Sequence, residues 1–82
     1  LATRSVHLQE EETMLIYRFL TGEDDSAFCH KVTKALSEGW ALHGSPQYAF
    51  DATSGLMRCG QAVTREVADQ PYDPDKKLID YR

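Results

Sequence analysis

The sequence predicts an α+β domain of β-α-β-β order, one helix packed on a three-stranded sheet, with extended segments at both ends. Three observations carry this expectation. Met14 to Leu20 is a run of β-favouring residues. Phe28, Val32, Ala35 and Leu36 recur at helical spacing. Two alternating stretches then flank a glycine-containing loop between Phe50 and Leu56.

Each element has its own local signals. Strand one stops at Thr21-Gly22, and Asp24 or Asp25 can cap the following helix, because a short carboxylate accepts hydrogen bonds from the free amides of a first turn. Lys31, Lys34 and Glu38 fall on the wet side of that helix. Gly39 supplies a left-handed terminator with Trp40 folding back onto the helix. Trp40 to Phe50 reads as strand two, bulged around Gly44-Ser45-Pro46, and Leu56 to Val67 as the returning strand.

These elements place one domain at 14–67. Residues 1–13, with Glu10, Glu11 and Glu12 and few large apolar side chains, read as a flexible leader, and Met14 is a candidate for the natural start. Residues 68–82, with Pro71 and Pro74, read as an extended, solvated tail in which Leu78 and Ile79 are two apolar anchors.

Composition narrows the function classes. The chain has 82 residues, enough for one core. Domains this small bury a modest fraction of their surface, which favours self-association. Thirteen acidic and nine basic side chains leave a net charge of −4, with no basic block to attract phosphate backbones, so no nucleic-acid partner is expected. No apolar run approaches the ~20 residues of a membrane helix. Two cysteines without a preceding secretion signal point to a reducing, cytoplasmic location.

A hairpin that pairs Phe50 with Leu56 places Gly44 opposite Ala62 and Pro46 opposite Gly60, a small-residue face on which a helix can lie close. The reverse face then carries His43, Gln47, Met57, Cys59, Gln61 and Val63, mixed enough to suit a subunit contact or binding surface. His43, Arg58, Cys59 and Gln61 become the candidate binding residues, with Met57 and Val63 as interface candidates. In this register Cys59 faces Gln47, four residues or about 13 Å from His43, so the two share no metal. Cys29 and His30 point about 100° apart on a helix and make a poor ligand pair. No metal site, cofactor or catalytic residue is assigned, and packing is the expected role of both thiols.

The strings Tyr17-Arg18-Phe19-Leu20-Thr21-Gly22, Asp24-Asp25, Phe28-Cys29-His30, Gly39-Trp40, Gly44-Ser45-Pro46 and Cys59-Gly60-Gln61-Ala62-Val63 together resemble the bacterial family called domain of unknown function 1737. The likeness covers roughly Met14 to Val67. It implies the β-α-β-β fold and no established activity. The expectation is therefore a small non-catalytic cytoplasmic module, homo-oligomeric or holding a protein or small molecule on its open sheet face. The alternative is a small enzyme or enzyme accessory with a site around His43, Arg58, Cys59 and Gln61.

Overall fold

A computed structural model describes residues 12–82; residues 1–11, most of the expected leader with His7, lie outside the described residues. The element order is β1 (Thr13–Glu23), α1 (Ser26–Ser37), β2 (Ala41–Asp51) and β3 (Leu56–Ala68). The α+β class and the β-α-β-β order are those the sequence predicts. The strands form one antiparallel sheet in the order β1-β3-β2, so β3 is central and the other two are edges.

Local chemistry accounts for the ends of α1. The Asp25 carboxylate accepts from the Phe28 amide at 3.3 Å, satisfying one of the free donors of the first turn. At the other end Gly39 takes a φ of 96°. The Gly39 amide donates to Leu36 O and the Trp40 amide to Ala35 O, the paired bonds of a Schellman terminator. The hairpin loop closes similarly: the Gly55 amide donates to Asp51 O at 2.7 Å, and the Thr53 amide to the Asp51 carboxylate at 3.0 Å.

Two compact units divide the chain, one of them Tyr17–Arg65. Its buried apolar side chains are Leu20, Ala35, Trp40, Cys59 and Val63. A Cβ built on Gly22 would lie 3.2 Å from the Phe28 ring, which puts α1 on the side of β1 that Gly22 and Leu20 share. Phe28 and Val32 are half-buried and Ala35 is buried, whereas Leu36, expected in the same stripe, is 43% exposed. Trp40 is enclosed by the Arg18 and Arg65 guanidinium groups, 5.1 and 4.9 Å from the ring centroid.

The register corrects the expected faces. Phe50 pairs with Met57, not Leu56, and Tyr48 with Cys59. Beyond an irregularity between His43 and Gln47, Leu42 pairs with Val63 and His43 with Ala62. A one-residue slip moves every side chain to the other face. Cys59, Gln61 and Val63 therefore lie on the α1 side and are 7%, 5% and 0% exposed, while the small residues Gly60 and Ala62 face away from the helix. The bulge expected at Gly44-Ser45-Pro46 is where the register shifts, and Gly44 there has a φ of 73°.

The other unit comprises 12–16 of the described residues with Glu66–Arg82. Ile16, Val67 and Tyr81 are its buried apolar side chains. The segment expected to be a solvated tail folds back on itself. Tyr81 is fully buried, its hydroxyl donates to Asp73 O at 3.0 Å and accepts from the Asp73 amide at 2.9 Å. Lys76 Nζ lies 4.4 Å from the Tyr81 ring centroid, and a 3-10 turn spans Leu78–Asp80. Two prolines end the strand pattern in the sequence, but a ring with a satisfied hydroxyl can still anchor a short irregular segment.

Candidate functional site

The face of the sheet turned away from α1 is built by alternation. Along β1 the residues between the buried ones, Tyr17 and Phe19, point to this side and are 53% and 49% exposed. From β3 come Arg58, Gly60 and Ala62, and from β2 their partners Ala49, Gln47 and His43. The Phe19 ring lies across Gly60: a Cβ built there would meet the ring, 2.8 Å from Cε2. Glycine at that position is what lets an aromatic side chain lie flat against the central strand.

A shallow concavity of about 340 Å³ opens beside this contact, lined by Phe19, Thr21, Gln47, Ala49, Arg58 and Gly60 among others. Its walls are mainly apolar, and Arg58 supplies the charge. The Arg58 Nε is 3.5 Å from the Asp51 carboxylate. Hydrogen bonds from Ser54 and from the Thr53 amide, with Arg58 a lesser cause, hold that carboxyl below the usual range. Such a pocket can take an apolar or planar side chain and offers Arg58 to a polar group at its rim.

The sequence candidates are divided by the register. His43 and Arg58 lie on the open face, whereas Cys59 and Gln61 are buried on the other. Gln61 serves the fold itself. Its side-chain amide reaches His43 O, Gly44 O and Ala62 O at 3.4, 3.3 and 3.0 Å, satisfying carbonyls at the bulge. Burial pushes the Cys59 thiol up from its ordinary value. Met57 is 40% exposed opposite Phe50, on the same side as Cys59. Cys29, expected to pack, is exposed.

Sequence reasoning missed Tyr17 and Phe19, because strand one reads as a single apolar run. A signal is present: its odd positions are as apolar as its even ones, the mark of a strand apolar on both faces. The bond between the Tyr48 hydroxyl and the Asp24 carboxylate, 3.0 Å, was also missed. That carboxylate, through the hydrogen bond and its charge, pushes the Tyr48 hydroxyl up to about 12. Among the described residues no cluster of three or more His, Cys, Asp or Glu could hold a metal ion, and no helix is long and apolar enough to cross a membrane.

These features define a small α+β module in which, among the described residues, α1 lies on one sheet face and the half-exposed rings of Tyr17 and Phe19 mark the other. Residues 14–66, more than half of the chain, match the family described as Domain of unknown function (DUF1737), and the chain belongs to that family. No curated protein and no solved structure matches it.

Proposed function

We propose that this chain is a non-catalytic, cytoplasmic binding module that self-associates through the uncovered face of its sheet. One observation carries the reading: Tyr17 and Phe19 are about half exposed, side by side, on the face opposite α1, with Phe19 seated on Gly60. Apolar surface left in water costs about 25 cal/mol per Å² relative to burial, and adjoining exposed rings are typical of contact surfaces. The cytoplasmic part rests on two free thiols, in keeping with a reducing compartment.

Sedimentation equilibrium of the whole chain tests the reading. A mass above the 9.3 kDa of one chain is expected, falling to that value for Phe19→Glu with the circular dichroism spectrum unchanged. A monomer across the micromolar range would overturn it.

A further inference from the structure

We propose that the concavity on the face away from α1 is a binding site for a small aromatic carboxylate, with the ring on its apolar floor and the charge at Arg58. This assignment rests on the binding part of the reading above and not on a second copy, since Tyr17 is not among the lining residues. The walls come from three neighbouring strands of the unit Tyr17–Arg65. β1 supplies Phe19 and Thr21, β3 Arg58 and Gly60, and β2 Gln47 and Ala49.

The floor is built by the fold itself. The tip of the Phe19 ring lies over Gly60, with Cε2 2.8 Å from where a Cβ would stand, so an aromatic surface lies open beside a bare stretch of the central strand. Ala49, opposite Arg58, is a second small residue in the lining. A planar ring gains offset or edge-on contact with Phe19 that an aliphatic chain lacks. The volume of about 340 Å³ is at the lower end of the roughly 300–1,000 Å³ of small-molecule sites. It suits one ring or two fused rings and is too small for a dinucleotide.

Charge selects the other half of the ligand. Arg58 is the one ionised side chain in the lining, and its contact with Asp51 leaves it available. That contact is made by Nε at 3.5 Å, outside the roughly 2.7–2.9 Å of a strong charge-assisted bond. The Asp51 carboxylate has a donor of its own in the Thr53 amide, at 3.0 Å. A guanidinium offers a carboxylate parallel N–H donors in one plane, the geometry that a flat aryl acid presents. One cation with an acid beside it offsets a single negative charge and not the two of a phosphate. The same acid and the open mouth keep the affinity modest.

Titration of the whole chain with 2-naphthoate, followed through its amide NMR shifts and accompanied by sedimentation, tests the site. Saturable shifts of the Phe19, Gln47, Arg58 and Gly60 amides are expected, with a Kd below about 1 mM. Binding should weaken by about tenfold for 2-naphthamide, which keeps the rings and loses the charge, and by a similar factor for the Arg58→Gln chain with its spectrum still dispersed. Inorganic phosphate, a charge without a ring, should leave these amides unmoved. Equal binding of the amide or by the Arg58→Gln chain, shifts centred on other residues, or no saturable shift at all would overturn the assignment. A chain that stays at the mass of one copy yet binds naphthoate keeps this site and overturns the self-association; a rising mass without binding does the reverse.

Discussion

Phe19 lies on Gly60 across the two neighbouring strands β1 and β3, so tightly that a methyl group at Gly60 would stand 2.8 Å from Cε2 of the ring. The contact joins the exposed aromatic of an edge strand to the barest position of the central one. It shapes the floor of the concavity on the uncovered face.

Gly60→Ala should push that ring off its seat. The ring is half exposed and can swing toward water, so the expected loss is about 1 kcal/mol, at the low end for overpacking. Urea unfolding measures it. In a double-mutant cycle with Phe19→Leu the two changes should fail to add, and strict additivity would contradict the contact.

Val63 separates folding from association. It is fully buried on the α1 side, so Val63→Ala is expected to cost about 2 kcal/mol through lost burial and a residual cavity. Val63→Asp should unfold the chain, not merely dissociate it. A well-folded monomer from the aspartate variant would return Val63 to the interface the sequence suggested.

The two thiols should differ. Cys29 is exposed and Cys59 is 7% exposed, with its thiol pushed up by burial. Titration of the native chain with a thiol reagent at neutral pH is expected to count one fast group. Denaturant should release the second, and two fast groups before denaturation would contradict this placement.

Tyr48 should ionise late. Because the Asp24 carboxylate holds its pKa at about 12, above the ordinary value near 10, the neutral phenol is the favoured form in the folded chain. The stabilisation is fully present below about pH 10 and is lost as pH rises through about 12. Absorbance titration should show Asp24→Asn shifting one tyrosine toward the ordinary value, and an unchanged titration curve would count against the bond.

What the sequence by itself determined was local. Asp25 as a cap, Gly39 with Trp40 as a terminator, the loop ending at Gly55 and the irregularity at Gly44 each follow from the conformational preference or hydrogen-bonding reach of a residue and its near neighbours. The order of elements follows from these. The family resemblance rests on the same short strings.

Only the tertiary structure decided which side of β3 faces the helix. Pairing Phe50 with Met57 or with Leu56 differs by one residue, and both registers close a short loop, yet they exchange the entire sets Cys59, Gln61, Val63 and Arg58, Gly60, Ala62. The choice depends on burial summed over the sheet, to which the helix and β1 contribute from distant parts of the chain. For that reason His43 kept its place on the open face, Arg58 came to it from the side expected under the helix, and Cys59 and Gln61 lost theirs.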